Sequence, residues 1–527
     1  MRPFPARRSR LARIALLACP LALLSLFGGQ AQAEPELMKA VPRYNVAALA
    51  PNVQVNVTVQ IALEAPRLPV RRVRPPVAVS LVIDRSGSMD EAKKIDYAKR
   101  AGKLLVQNLG PEDQLALIVF DNVVEVLFPL GRVTDKKALL GMIDRIRPGG
   151  TTFLSGGLEK GIAQLRSIRK EGPCRVILLS DGLANRGVTD PELVAAIGAR
   201  AGNDGVGVST IGLGLDFSED MMQLLAQRGS GQYYYVRDSE DLPAVFRQEL
   251  ALVADSFTRD IRAAFIPAKE VGAVKVYGYS ARPEAGGTAI DLSDFSSGET
   301  RQMLLHLSLT AGSSPGRQHL GVLRLNYTDL RDGEKREFSL PLELDIVADE
   351  GARRAAEQAK EAEVRSVREE VLLLEAEEAH VQALDELRQG NLDKAKGILQ
   401  AKQAELAGAA PKNAVIAAKV ARMAADEQAM SQPALSPSAQ AGMQKSAKFS
   451  AYQSAKGSNQ GKLLKSGDSG FLVEKLENAL KKAGFYTRDA GGKYGPEVEA
   501  AVRAFQKSRS FTVDGVAGPE TLKALGL

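Results

Sequence analysis

The chain has 527 residues, of which 45% are apolar and 25% are charged. This composition is ordinary for a soluble globular protein, and the length is too great for one hydrophobic core, so several domains are expected. The formal charge is +6, but five arginines within the first 33 residues, which contain no acid, account for most of it. The remainder is nearly neutral, which gives no general electrostatic reason to expect nucleic-acid binding.

Residues 1–33 have the parts of a secretory signal peptide. Arginines precede an apolar stretch over 14–27, and small residues precede a predicted cleavage site before Glu34. The stretch is short for a membrane span and contains a proline, so cleavage is favoured over an anchor, leaving no transmembrane span. Cleavage would also remove Cys19 and leave Cys174 as the only cysteine. We expect an exported protein of the periplasm or cell envelope, with secretion as the alternative.

Residues 34–76 contain one clear strand, in which apolar residues alternate from 53 to 61 before a connection rich in proline and arginine. We expect this strand to join a β-domain that is completed later in the chain. From 77 to 250, apolar runs alternate with helix-like stretches, which predicts a doubly wound, Rossmann-like α/β domain. The hairpin at residues 120–122 predicts one antiparallel edge strand.

Several oxygen-bearing side chains follow the predicted strands of this region. One buried strand ends in an aspartate, and the loop after it carries two serines. A glycine turn further on delivers a threonine, and a second buried strand ends in another aspartate. In parallel sheets ligands bind outside the carboxyl ends of the strands, and oxygen donors suit a hard divalent cation. The first loop alone is equally typical of a helix cap. The candidate metal ligands are Asp84, Ser86, Ser88, Thr151 and Asp181.

Taken together and in this order, the five residues resemble the metal-ion-dependent adhesion site of von Willebrand factor A domains, as found in exported bacterial proteins. The resemblance implies that Ser86 and Ser88 bind Mg²⁺ through their hydroxyls, with Mn²⁺ or Ca²⁺ as alternatives. It implies that Thr151, Asp84 and Asp181 bind the ion directly or through water. It also implies an open coordination position that binds an acidic side chain of a protein partner, which is a binding mechanism and not a catalytic one.

Three further segments separate this domain from the C-terminus. Short alternating strands over 251–348 predict a β-sandwich, joined by the strand from residues 34–76. Residues 349–430 turn helical, with a break near residue 390, and predict a helical hairpin with His380 at its surface. Residues 431–462 are rich in Ser, Gln, Ala and Lys and contain no acid, which predicts a disordered linker.

The last segment, residues 463–527, predicts a small separate domain of three short helices. The stretches VEKLENALKKAGFY, YGPEVEAAVRAFQ and VDGVAGPETLKAL resemble the peptidoglycan-binding module. The resemblance implies attachment to the cell wall. The candidate wall-binding residues are Tyr486, Tyr494, Phe505, Gln506 and Asp514.

The sequence contains no H-E-x-x-H and no P-loop. We therefore expect a non-enzymatic envelope binding protein, with a Mg²⁺-dependent site for an acidic residue of a partner and a C-terminal tether to peptidoglycan. Two alternatives stay open. One is an accessory, non-catalytic part of a cell-wall hydrolase system, and the other is a structural envelope scaffold.

Overall fold

A computed structural model of the chain describes residues 37–527 apart from short gaps. The predicted signal peptide over residues 1–33 lies outside the described residues. After residue 37, the positions not described are 67–75, 169–171, 237–241, 255, 411–412, 433–434, 457–463, 465, 467–470, 492–493, 510, 512, 514, 518 and 526–527.

The chain begins with two antiparallel strands, β1 (Lys39–Tyr44) and β2 (Gln54–Glu64). The next six strands are β3 (Ala78–Asp84), β4 (Gln114–Phe120), β5 (Val124–Arg132), β6 (Cys174–Ser180), β7 (Gly207–Leu213) and β8 (Ser230–Val236). They form one sheet in the order β5-β4-β3-β6-β7-β8. All neighbours are parallel except β5, which lies antiparallel to β4 at the edge. This α/β sheet confirms the predicted fold class.

Six helices cover the two faces of this sheet. They are α1 (Lys94–Asn108), α2 (Lys136–Asp144), α3 (Leu154–Leu165), α4 (Pro191–Asn203), α5 (Glu219–Arg228) and α6 (Leu242–Ala254). Helices α1, α2 and α6 pack on one face, and α3, α4 and α5 pack on the other. Every residue of β3, β6 and β7 is buried, which explains why these strands are mostly apolar and show no alternation of apolar and polar residues. Because they run parallel, their carboxyl ends meet at one edge of the domain.

A β-domain follows, built of two antiparallel sheets around a shared apolar core. Its strands are β9 (Thr258–Pro267), β10 (Val271–Tyr277), β11 (Ala281–Glu284), β12 (Gly287–Ile290), β13 (Thr300–Thr310), β14 (Gly316–Asp329) and β15 (Lys335–Ile346). One sheet has the order β1-β2-β13-β10 and the other β11-β12-β9-β14-β15. Since β2 pairs with β13, the α/β domain is inserted between two strands that are neighbours in space.

The helical region contains α7 (Glu350–Ala359), α8 (Glu361–Arg388), α9 (Leu392–Leu406), α10 (Ala414–Met430) and α11 (Pro437–Lys456). His380 lies inside this region and is fully buried, so its predicted surface position is wrong. Its Nε2 lies 2.8 Å from Asp426 Oδ2, and its Nδ1 lies 2.8 Å from the ammonium of Lys419. These polar partners come from another helix, and the sequence of α8 alone does not reveal them.

The disordered linker predicted over 431–462 is wrong for most of that range, because α11 is a well-packed helix. Tyr452 joins the core of the α/β domain, and Ala447 joins the core of the helical region. The segment has no acid of its own, but Lys445 Nζ lies 2.8 Å from Glu219 Oε2 and Lys448 Nζ lies 3.0 Å from Glu219 Oε1. The acid that pairs with these lysines is therefore more than 200 positions away in the sequence.

The C-terminal module contains α12 (Phe471–Lys482), α13 (Pro496–Ser508) and the short α14 (Pro519–Ala524). These helices pack around a small apolar core that includes Leu480, Val502 and Phe505. An isolated bridge between Leu464 and Ala517 closes the module. Within the described part of the chain, no helix combines the length and apolar character needed to cross a membrane.

Candidate metal site

Four of the five predicted metal ligands lie together at the carboxyl ends of β3 and β6. Asp84 is the last residue of β3, and Asp181 follows the last residue of β6, its parallel neighbour. The loop after β3 is held in place by backbone hydrogen bonds, in which Gly87 N donates to Gly150 O and Gly149 N donates to Arg85 O. These bonds hold the loop after β3 against the glycine turn at residues 149–150, so both segments have fixed positions at this edge of the sheet.

Asp84 is fully buried and both of its carboxylate oxygens accept hydrogen bonds. Ser86 N donates to Oδ1 at 2.8 Å, and the Ser180 hydroxyl donates to Oδ2 at 2.5 Å. Burial raises the pKa of Asp84 to about 6, against the opposing effect of these hydrogen bonds. The carboxylate is thus oriented by its neighbours and remains ionised above about pH 6.

The two serines of the loop turn toward each other and toward Asp181. Ser86 Oγ lies 3.2 Å from Ser88 Oγ, and the Ser88 hydroxyl donates to Asp181 Oδ1 at 2.8 Å. Asp181 is fully buried, and Ser86 is nearly so. The result is a compact set of hydroxyl and carboxylate oxygens at the end of the sheet.

The structure places Thr152, the neighbour of the predicted Thr151, against the cluster. Thr151 is exposed, whereas Thr152 is buried and faces the cluster. A methyl group placed on Gly182 would lie 3.1 Å from Thr152 Oγ1 and 3.6 Å from Ser88 Oγ, so both hydroxyls border the same space. Thr152 is also fixed through its backbone, since its N–H donates to Asn185 Oδ1 at 2.8 Å. The sequence alone does not distinguish the two adjacent threonines, because the backbone conformation after Gly150 decides which of them faces the cluster.

Sequence analysis missed a further charged residue at this site, Lys94. Its ammonium donates to Asp181 Oδ2 at 2.7 Å and lies 3.5 Å from Asp216 Oδ2, with only 7% of the side chain exposed. Burial alone would lower the pKa of Lys94, but the hydrogen bond and charge of Asp181 raise it above its ordinary value. Next to Lys93, the residue looks like one of an ordinary pair of surface lysines, so the sequence carries little sign of this role.

The donor set fits a hard divalent cation. Two carboxylates, Asp84 and Asp181, and three hydroxyls, Ser86, Ser88 and Thr152, supply only oxygen, which suits Mg²⁺ better than softer metals. Among the described residues, this site included, no group of three or more His, Cys, Asp or Glu side chains is arranged to hold a metal, so a site here depends on the hydroxyls. The hydroxyl-rich cluster is therefore the metal-site candidate of the described chain.

The C-terminal module uses most of its predicted wall-binding residues for its own fold. Tyr494, Phe505 and Gln506 are each no more than 2% exposed, so their predicted contact with the wall is wrong for this conformation. Gln506 Nε2 donates to Val516 O at 2.8 Å, and Tyr494 donates to a backbone carbonyl in the same turn. Tyr486 is half-buried and bonded to a glutamate of α12, and Asp514 lies outside the described residues.

Two segments of the chain match known domain families. Residues 79–248 match the von Willebrand factor type A domain, and residues 469–525 match the peptidoglycan binding domain. The chain contains both domains. The first match covers the six-stranded sheet and its helices, and the second covers α12 to α14.

Two relatives of known sequence match about half of the chain. The chain is 24% identical over 283 residues to the Synechocystis protein sll0103, and 27% identical over 236 residues to Escherichia coli YfbK. These matches cover 52% and 43% of this chain, which spans 66% and 41% of the two relatives. A stretch of 70 residues, 13% of the chain, is 44% identical to a Bacillus licheniformis protein named "Probable N-acetylmuramoyl-L-alanine amidase", of which it covers 20%.

Solved structures show the same fold beyond the von Willebrand factor type A domain itself. A von Willebrand factor type A protein from Catenulispora acidiphila aligns with 81% of this chain and 98% of its own, with a TM-score of 0.59 and 18% identity. The ArnB paralog VWA2 from Sulfolobus acidocaldarius aligns with 78% of this chain and 98% of its own, with a TM-score of 0.50 and 17% identity. At this identity the likeness concerns the fold alone.

Proposed function

We propose that this protein is an exported, non-catalytic binding protein of the cell envelope. Its von Willebrand factor type A domain would bind a divalent cation, and through it a carboxylate of a protein partner. Its C-terminal domain would attach the molecule to peptidoglycan. The observation that carries the proposal is the convergence of the Ser86, Ser88 and Asp181 oxygens at the carboxyl ends of β3 and β6.

The residues proposed to hold the cation are Asp84, Ser86, Ser88, Thr152 and Asp181. Mg²⁺ bound there would supply a positively charged, oxygen-seeking centre to which an acidic side chain can bind. Three of the five donors are neutral hydroxyls, which leaves more of the cation's charge for an incoming carboxylate than a set of carboxylates would. Mn²⁺ and Ca²⁺, which also prefer oxygen ligands, are the alternative ions.

Attachment to the wall is supported by the match of residues 469–525 to the peptidoglycan binding domain. Export is supported by the signal-like sequence of residues 1–33, since peptidoglycan lies outside the cytoplasm. Together they favour the periplasm or the cell envelope as the place of action. We propose no catalytic residue, because the site consists of hydroxyls and carboxylates that hydrogen-bond to one another and suit an ion.

A second candidate is an accessory subunit of a wall-hydrolase system, supported by the 70-residue similarity to the protein named as an amidase. This role would use the same wall attachment, with the von Willebrand factor type A domain binding the hydrolytic partner. The two candidates differ in whether the complex cleaves the wall. A turbidity assay on purified walls, with and without captured partners, separates them.

The experiment that tests the proposal has two parts, both on the full chain. Calorimetric titration of Mg²⁺ should show one saturable site, which Ser88→Ala weakens at least about tenfold by removing a direct oxygen ligand. Sedimentation with purified peptidoglycan should pellet the chain, and deletion of residues 464–527 should leave it in the supernatant. Absence of Mg²⁺ binding contradicts the metal-dependent role, and absence of pelleting contradicts wall attachment.

A further inference from the structure

Lys94 is placed at the metal site by a costly stretch of backbone. Ala92 and Lys93, just before it, adopt left-handed backbone angles with φ of 50° and 57°. Residues with a side chain rarely adopt such angles, because they strain the backbone. This kink ends the 3-10 turn after Ser86 and starts α1, so that Lys94 faces the interior.

The opposite wall of the site leaves room for the lysine. Gly214, at the end of β7, has a φ of +75°, and a methyl group placed on it would lie 3.1 Å from Lys94 Cε. The ammonium thereby reaches Asp181 Oδ2, the oxygen that Ser88 does not use. Lys94 therefore binds one side of Asp181, while the hydroxyl cluster lies on the other.

The charges at the site depend on this lysine. Among the buried groups, Asp84 and Asp181 carry one negative charge each and Lys94 carries one positive charge, so the three sum to one negative charge. Asp216 also lies near the lysine, but its side chain is 65% exposed and solvent screens its charge. A divalent cation would leave one net positive charge, which an incoming carboxylate neutralises. Without the lysine, the cation alone would neutralise the site, and a partner carboxylate would leave it negative in a buried setting, where unpaired charge is costly.

We propose that Lys94 is a positioning residue that weakens binding of the cation alone and strengthens binding of a carboxylate to the cation-loaded site. The inference deepens the proposed function and rests on it. Its consequence is a site that holds its ion tightly only when a partner's acidic group is present. The ion and the partner then bind with positive coupling, because each increases the affinity of the other by the same factor.

The test compares the full chain with two variants, Lys94→Met, which keeps the length of the side chain without its charge, and Lys94→Arg, which keeps the charge. Mg²⁺ affinity is measured by calorimetry in chloride and again with acetate as the carboxylate probe. We expect Lys94→Met to bind Mg²⁺ about tenfold more tightly in chloride, the effect of one nearby charge at a partly buried site. We expect acetate to tighten Mg²⁺ binding to the wild type and to Lys94→Arg, and to have little effect on Lys94→Met.

A merely structural role for Lys94 gives the opposite result, because loss of the Asp181 contact would disorder the site and weaken Mg²⁺ binding in Lys94→Met. That outcome, or equal affinities and equal acetate effects in all three proteins, overturns the inference while the proposed function survives. Failure of both the wild type and Lys94→Met to bind Mg²⁺ overturns the inference and the proposed function together.

A second variant keeps the test decisive if Lys94→Met does not fold. Asp216 is 65% exposed in its side chain and lies 3.5 Å from the lysine, so Asp216→Asn removes a charge without removing buried contacts. This change leaves the positive charge of Lys94 less balanced, and we expect Mg²⁺ affinity to fall about threefold. Unchanged or higher affinity in Asp216→Asn contradicts the proposed electrostatic role of Lys94.

Discussion

Helix α11 packs against α8, β13 and β8. Its contact with β8, the edge strand of the von Willebrand factor type A sheet, depends on one residue that can be substituted. The Tyr452 hydroxyl accepts a hydrogen bond from the backbone N–H of Tyr233, on edge strand β8, at 3.2 Å. The two rings also meet edge to face, with centroids 5.5 Å apart. Both residues are buried, so the backbone donor depends on Tyr452 and not on solvent.

The magnitude follows from these contacts. Tyr452→Phe keeps the ring and leaves the buried Tyr233 N–H without its acceptor, which costs about 1–3 kcal/mol. Tyr452→Ala also removes the ring from the core and costs about 3–5 kcal/mol. Since each 1.4 kcal/mol is a factor of ten, Tyr452→Phe should reduce protection of the Tyr233 amide about 5- to 140-fold when local undocking of α11 governs its exchange.

Hydrogen exchange read by mass spectrometry measures this protection, and limited proteolysis within 437–456 measures undocking of the helix. Ser438→Ala, at an exposed position of the same helix, serves as the control and should match the wild type. Two results together would refute the docking of α11 and support a disordered linker instead. The Tyr233 amide would exchange at the wild-type rate in both Tyr452 variants, and the protease would rapidly cleave α11 in the wild type.

Three further predictions concern other parts of the chain. Asp294 has a buried oxygen without a hydrogen-bond partner, and burial raises the pKa of its carboxyl to about 7. The stability of the protein should therefore fall as pH rises from about 4 to 7. Calorimetry should show that Asp294→Asn raises the melting temperature at pH 8 and has little effect at pH 4. Lys445→Met should lower the free energy of unfolding in urea by about 2–4 kcal/mol, because it leaves buried Glu219 with Lys448 alone. The control Lys103→Met, at a partly exposed ion pair, should change this free energy by less than about 0.5 kcal/mol. Gln506→Ala removes two buried hydrogen bonds to the backbone and should destabilise the C-terminal module by about 2–4 kcal/mol. The loss should appear in circular dichroism as melting of the helices on mild heating, and binding to the wall should fall only as the module unfolds.

Local sequence patterns predicted the parts of the fold that are built from continuous apolar runs. The sequence predicts the strand that ends in Asp84, because a strand buried on both faces is a run of apolar residues without alternating polar ones. It also predicts the hairpin near Asp121, because a short polar turn between two strands makes them pair antiparallel. Because the carboxyl ends of parallel strands meet at one edge of a sheet, the sequence also predicted that Asp84 and Asp181 lie close together. Each of these predictions rests on patterns within a few consecutive residues, combined with a general rule for parallel sheets.

The features that the sequence could not predict depend on distant partners. Helix α11 has too little apolar surface to fold alone, and its lysines are paired with Glu219 from the other half of the chain. The choice of Thr152 over Thr151 depends on which residue faces Gly182 after the glycine turn. The inward turn of Lys94 depends on a left-handed kink between two helical segments, which no local propensity favours.

The two adjacent threonines offer a matched pair of substitutions that tests whether this cluster of oxygens binds a divalent cation. Binding of Mn²⁺ to the full chain is measured by electron paramagnetic resonance for the wild type, Thr152→Val and Thr151→Val, which remove the same hydroxyl at neighbouring positions. We predict one bound Mn²⁺ in the wild type and in Thr151→Val, and affinity lower by about tenfold or more in Thr152→Val, which loses an oxygen donor. No bound Mn²⁺ in the wild type would rule out the cation site, and a loss confined to Thr151→Val would rule out Thr152 as its ligand.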